Sequence, residues 1–184
     1  MRRIIVLAVV ALLANAALVL AQTPHNSGFV LSPMHVTALK AVPYLYVSEQ
    51  TTLDTIGEVL DKRLNEMNRA IKDGAFLPSG PPVFVYHNAG RDRSKPFTLD
   101  VGFPVAENTV AAGDYQLGKL ESERSATAVY VGPINQIGQA YGQLFGQIFG
   151  AGYMPSGIRR ERYLYWEDAD SSNNVILIEV LLQK

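Results

Sequence analysis

Val42-Pro43-Tyr44-Leu45-Tyr46-Val47, followed by Thr51-Thr52-Leu53, decides the fold, because it sets a strand directly ahead of a helix. Aromatic and β-branched residues dominate the first run, as a strand prefers. From Leu53 the apolar residues change period: Ile56, Leu60, Leu64, Met67 and Ile71 recur every three or four positions. That spacing builds an amphipathic helix, with Asp54, Glu58, Asp61, Lys62, Glu66 and Arg69 on its wet side and Gly74 as its stop. Leu77-Pro78-Ser79-Gly80-Pro81-Pro82 turns the chain, and Val83–His87 and Thr98–Val105 follow as two strands.

The same order then recurs. Ala126–Val131 reads as a strand, Gly132-Pro133 as a turn, Ile134–Phe149 as a helix and Met154-Pro155-Ser156-Gly157 as a second turn. Arg162–Trp166 and Val175–Leu182 are the closing strands. Ile56-Gly57 corresponds to Ile137-Gly138, and Tyr46 to Tyr130, each at the end of the strand before a helix. His87 pairs with Trp166 by the same repeat, since 13 positions separate His87 from Asp100 and Trp166 from Glu179. The expectation is an α+β fold of duplicated β-α-β-β units. Gly138, Gly142, Gly146 and Gly150 form one ridge of the second helix and read as a device for close packing.

With 184 residues, of which 48% are hydrophobic and 18% charged, the chain makes one domain and is too apolar for a disordered protein. Sixteen basic and 17 acidic side chains leave no basic footprint for nucleic acid. Cysteine is absent, which removes disulfides, thiolate metal sites and cysteine nucleophiles. His25, His35 and His87 have no ligand spacing, so neither a metal nor a cofactor is expected. Met1-Arg2-Arg3 and the uncharged run Ile4–Ala21 read as a signal peptide, cleaved before Gln22, for a periplasmic or extracellular protein. The alternative is an uncleaved anchor in the inner membrane through residues 4–21. Residues 22–33 read as a tether, and 34–184 as the domain, with repeats at about 34–106 and 113–184.

Several of these stretches carry a family pattern. Pro82-Val83-Phe84-Val85-Tyr86-His87-Asn88, Asp100-Val101-Gly102-Phe103-Pro104-Val105 and Gly118 resemble the GyrI-like small-molecule-binding domain. Val129-Tyr130-Val131-Gly132-Pro133, Ile137-Gly138-Gln139-Ala140-Tyr141, Glu161-x-Tyr163-Leu164 and Glu179 do so too. The resemblance implies a pseudo-twofold pair of units, with both main helices on one side of a curved antiparallel sheet. It also implies an amphipathic, often cationic organic ligand held between the halves against aromatics and a buried glutamate. Two positions depart from the pattern, Ile134 after the Gly-Pro turn and Gln147 late in the second helix, where aromatics are common.

Glu179 is the candidate anionic contact. In Val175-Ile176-Leu177-Ile178-Glu179-Val180-Leu181-Leu182 both faces of the strand are apolar, so the carboxylate lies in a low-dielectric place. It must meet a ligand cation or pair with an arginine, Arg124 or Arg162. Tyr46, Tyr130 and Tyr163 offer ring faces and hydroxyls, and Trp166 shares a cavity with Tyr163 only across a bulge. Arg91, Arg93 and Lys95 read as a solvated hairpin tip. The expected function is an exported binder of a small organic molecule. The alternatives are a hydrolase of a strained electrophile using Glu179, and a structural module without ligand. No catalytic residue and no oligomeric state can be assigned.

Overall fold

The computed structural model describes residues 28–111 and 113–184. The segment expected as signal peptide or anchor lies outside them. In chain order the elements are β1 (Val30–Leu31), β2 (His35–Ala38), β3 (Val42–Thr51), α1 (Ile56–Lys72), β4 (Val83–His87) and β5 (Phe97–Pro104). Then come β6 (Gln116–Leu120), β7 (Arg124–Val131), a 3-10 turn (Ile134–Gln136), α2 (Ile137–Gly150), β8 (Pro155–Tyr165) and β9 (Val175–Leu182). The nine strands form one strongly curled antiparallel sheet in the order β1-β7-β9-β8-β4-β5-β3-β6, with β2 also on β7. The fold is α+β, as the duplicated pattern predicts, and its sheet is curved, as the resemblance implies.

The duplication is written into the register. β4 and β8 pair at the middle, so β4-β5-β3 mirrors β8-β9-β7 about them. Ser48, Asp100, Val85, Arg160, Glu179 and Thr127 make one continuous row across those six strands, with Val85 opposite Arg160 at its centre. Side chains of one row share a face, and each neighbouring row takes the other. The next row is Val47, Val101, Phe84, Glu161, Ile178 and Ala128, and this one faces the helices.

Both helices cover that same face. Met67 of α1 is buried in a cluster with Leu45, Val47, Phe84, Leu99 and Val101. Ala140, Leu144 and Ile148 of α2 are buried against Ala126, Ala128, Ile176 and Ile178. These two clusters are separate, so the helices lie over different halves of the sheet and leave a gap above β4 and β8. Burying a Leu or Ile side chain contributes roughly 1.5–3 kcal/mol, which makes these stripes the chief anchors of both helices.

Three sequence expectations change. Of the expected tether, residues 22–27 lie outside the described residues, while Val30–Leu31 is a strand of the sheet, paired with Val131 and Tyr130, and Phe29 is buried on the Tyr130 ring at 5.5 Å. β8 begins at Pro155, seven residues before the expected strand, so Met154-Pro155-Ser156-Gly157 opens a strand instead of closing a turn. Register also separates Tyr46 from Tyr130. Carrying the row of Asp100 and Glu179 along each strand sets Tyr130 level with Thr51, and Tyr46 level with Ser125.

Candidate functional site

The gap between the helices is a cavity of about 690 Å³. Leu53, Ile56 and Leu60 line it from the α1 side, and Ile134, Ile137, Tyr141 and Phe145 from the α2 side. Tyr86 of β4 and Arg159, Glu161 and Tyr163 of β8 form the floor, and the exposed Gly90 and Arg91 stand at the mouth. Alternation explains the floor: Arg159, Glu161 and Tyr163 are every second residue of one strand, so all three rise on the helix side. The volume falls within the roughly 300–1,000 Å³ of small-molecule sites, and the lining has the usual make-up of apolar walls and a few convergent polar groups.

Glu161 is the chemical centre. The hydroxyl of Tyr86 donates to its Oε2 at 2.8 Å, that of Tyr163 to the same oxygen at 3.2 Å, and that of Tyr141 to Oε1 at 2.8 Å. The residue is 3% exposed. Burial pushes its carboxyl above the ordinary value of 4.5, opposed by the three hydroxyls and by Arg159. Burial, together with the Glu161 carboxylate, pushes all three phenols well above their ordinary range, so they remain donors. Hydrogen bonds to a charged group contribute about 1.5–3 kcal/mol each, so three of them fix the rings around the acid. Tyr86 and Glu161 are also counterparts across the pseudo-twofold, because Val85 and Arg160 mark its axis.

Arg159 lies against the same aromatics. Its guanidinium carbon is 4.9 Å from the Tyr141 ring centre and 5.5 Å from that of Tyr86. Arg93, also at the cavity, donates from Nε to Asp54 at 2.8 Å and from Nη2 to the Leu53 carbonyl at 3.0 Å. The hairpin tip expected to be merely solvated therefore brings Arg91 and Arg93 to the mouth.

The expected site residues scatter. Glu179 is fully buried on the opposite face of the sheet, where Arg162 Nε donates to Oε1 at 2.6 Å and Arg160 Nη1 lies 3.7 Å from Oε2. It does not line the cavity, and an internal guanidinium takes the place expected for a ligand cation. Tyr46 sits on that far face too, stacked on Tyr44 at 5.1 Å. Tyr130 is core beneath α2, its hydroxyl donating to the Pro133 carbonyl at 2.6 Å. Tyr163 alone of the five lines the cavity. Trp166 packs on it at 5.5 Å, across a register shift between Tyr163 and Tyr165, but does not itself line the space.

Sequence reading missed Glu161, Tyr86, Tyr141 and Arg159 as site residues. The signal was present in Glu161-x-Tyr163, in Tyr86 and in Tyr141, all inside the family pattern, but the buried-glutamate role went to Glu179. Among the described residues no group of three or more His, Asp or Glu is placed to hold a metal ion.

A family model described as the GyrI-like small molecule binding domain matches residues 32–183. No curated protein matches the sequence. Among solved structures, EcmrR in a DNA complex superposes with a TM-score of 0.68 at 13% identity, covering 95% of this chain and 65% of that one. The chain thus spans about two thirds of that relative's length. SAV2435 bound to tetraphenylphosphonium gives 0.61 at 12% identity, over 83% of this chain and 94% of its own. A hydrolase from Listeria innocua gives 0.53 at 12% identity, over 82% and 91%. At these identities the likeness is one of fold.

Proposed function

We propose that this chain, which belongs to the family of GyrI-like small molecule binding domains, holds an amphipathic organic molecule in the cavity between α1 and α2. The observation that carries the reading is the Glu161 cluster. A buried carboxylate holds three tyrosine hydroxyls and so fixes aromatic walls around a space of about 690 Å³. Rigid aromatic walls suit a flat or bulky apolar guest, because little side-chain entropy is lost on binding. Tyr163 is the contact shared with the sequence reading. SAV2435, of like fold, is bound to tetraphenylphosphonium, which supports use of this scaffold for lipophilic guests. The resemblance implies an often cationic ligand, but Glu179, the anionic contact expected for it, already meets Arg162 and Arg160.

The reading includes export to the periplasm or the exterior, supported by Met1-Arg2-Arg3 and the uncharged run from Ile4 to Ala21. Amino-terminal sequencing of the secreted or periplasmic protein tests it, and a mature chain that begins at Met1 contradicts cleavage. The balanced formal charge of −1 supports a role away from nucleic acid.

Titration calorimetry with neutral 4-biphenylmethanol tests the cavity. Binding by the native chain and its loss in Gly142→Phe, which places a ring in the cavity wall, is the expected result. Equal binding by both proteins overturns the reading. Hydrolysis is the second reading, favoured by a cavity acid whose pKa is pushed up. Its acid is Glu161 and not Glu179, and turnover of a strained electrophile that survives Glu161→Gln excludes it.

A further inference from the structure

The charged groups around the cavity are unequally satisfied. Both oxygens of Glu161 accept tyrosine hydroxyls, and Arg93 is taken by Asp54. Arg159 differs from both. Its charge acts on Glu161, but it makes no ion pair within 4 Å among the described residues, in contrast to its strand neighbours Arg160 and Arg162, which meet carboxylates on the other face. Its Nε is buried and has no hydrogen-bond partner among the described residues. Its guanidinium also lies over the ring faces of Tyr141 and Tyr86, which are the surfaces a lipophilic cation would use. An organic cation entering here must displace a resident cation and then meet its like charge. A guanidinium is a planar fork matched to a carboxylate, and an anion arriving with the ligand would meet the charge of Arg159. Arg91, exposed at the mouth, adds a second positive charge on the approach.

We propose that the ligand is an amphiphile whose polar end is a compact anion such as a carboxylate, and that Arg159 is the residue that selects it. This rests on the cavity being a ligand site, and it names the charge that the site reads. The apolar body packs between Ile56, Phe145 and the tyrosine rings, and the anion meets Arg159.

Three probes of one shape separate the two claims: 4-biphenylcarboxylate, 4-biphenylmethylammonium and 4-biphenylmethanol, each titrated at neutral pH into the full chain by calorimetry. The carboxylate is expected to bind at least about tenfold more tightly than the ammonium, about 1.4 kcal/mol by the standard conversion. In Arg159→Gln the carboxylate should lose about tenfold, while the alcohol stays within about threefold of native. Tighter binding of the ammonium by the native chain overturns the proposal, as does an unchanged preference in Arg159→Gln. If Arg159→Gln fails to fold, Arg159→Lys replaces it: the preference should keep its sign and shrink, and an undiminished one counts against a selecting role. Silence toward all three probes removes the cavity reading itself. Binding of the alcohol with the wrong charge order removes only the anion.

Discussion

Glu161 and Glu179 lie one register step apart on paired strands, Glu161 opposite Ile178 and Glu179 opposite Arg160, and they point to opposite faces of the sheet. Each is an acid sealed from water, yet their surroundings differ in kind. Glu179 meets guanidinium charge and is a structural ion pair. Glu161 meets phenol hydroxyls, which solvate a carboxylate without neutralising it, and it fronts a cavity. One step along the ladder separates the group that holds the sheet together from the group that shapes the site.

Removing the charge of Glu179 should therefore harm stability and spare binding. Glu179→Gln leaves the partly buried Arg162 without its counter-charge, and breaking a buried pair from one side costs about 3–5 kcal/mol. Urea denaturation should show a loss in that range, with affinity for 4-biphenylmethanol close to native. Native stability would mean that Arg162 finds another partner, and lost affinity would return Glu179 to the site.

The pH dependence of Glu161 has a definite sign. Its folded pKa is raised, with burial the leading cause, so the folded state holds the proton more tightly than the unfolded chain. Stability from this group is full below the unfolded value and is lost as pH rises through the folded one. Glu161→Gln removes the decline. The melting temperature of the variant minus that of the native protein should rise between about pH 4 and about pH 7. A constant or falling difference contradicts a raised carboxyl.

The sequence is most legible where one periodicity rules. Val83–His87 and Val175–Leu182 are strands with the expected bounds, and Gly74 ends α1 with a positive φ of 76°. It is least legible at β8, where Arg159, Arg160, Glu161 and Arg162 resemble a solvated face. That run is in fact the central strand, because both faces supply partners: Glu179 and Glu123 on one side, tyrosine hydroxyls and rings on the other. Alternation put Glu179 opposite Ile178 in facing correctly, but it cannot tell which face carries the gap between helices. Only the placement of α1 and α2 decides that. β6 escaped notice because it is an edge strand of mixed character, Gln116-Leu117-Gly118-Lys119-Leu120, whose pairing to β3 no local pattern announces.

The glycine ridge of α2 invites a stability test, since the expected packing role fails. Ala140, Leu144 and Ile148 are its buried stripe, and a shift of two residues turns a helix by about 200°. Gly138, Gly142, Gly146 and Gly150 therefore lie away from the buried stripe, Gly138 and Gly142 on the cavity side, and no described residue comes within 4 Å of where a Cβ would stand. Gly146→Ala should stabilise the protein by about 0.5–1 kcal/mol through helix propensity alone. Gly102→Ala should do the reverse, because its Cβ would come within 2.2 Å of the Leu45 carbonyl oxygen. Thermal melts of the two variants should move in opposite directions. A destabilising Gly146→Ala would mean that the ridge is packed after all.

The tyrosine hydroxyls should act on Glu161 as a set. Tyr86→Phe removes one of the two donors to Oε2 and leaves the buried acid with Tyr163 alone on that oxygen. An unsatisfied buried polar group costs about 1–3 kcal/mol, more when charged. The loss should be smaller at acid pH, where the protonated carboxyl needs fewer donors, and it should shrink again in the Glu161→Gln background. A double-mutant cycle isolates this coupling. Additive losses would show that Tyr86 contributes only its ring to the wall. A coupling near 1 kcal/mol or more is expected if its hydroxyl and the Glu161 carboxylate hold each other in place.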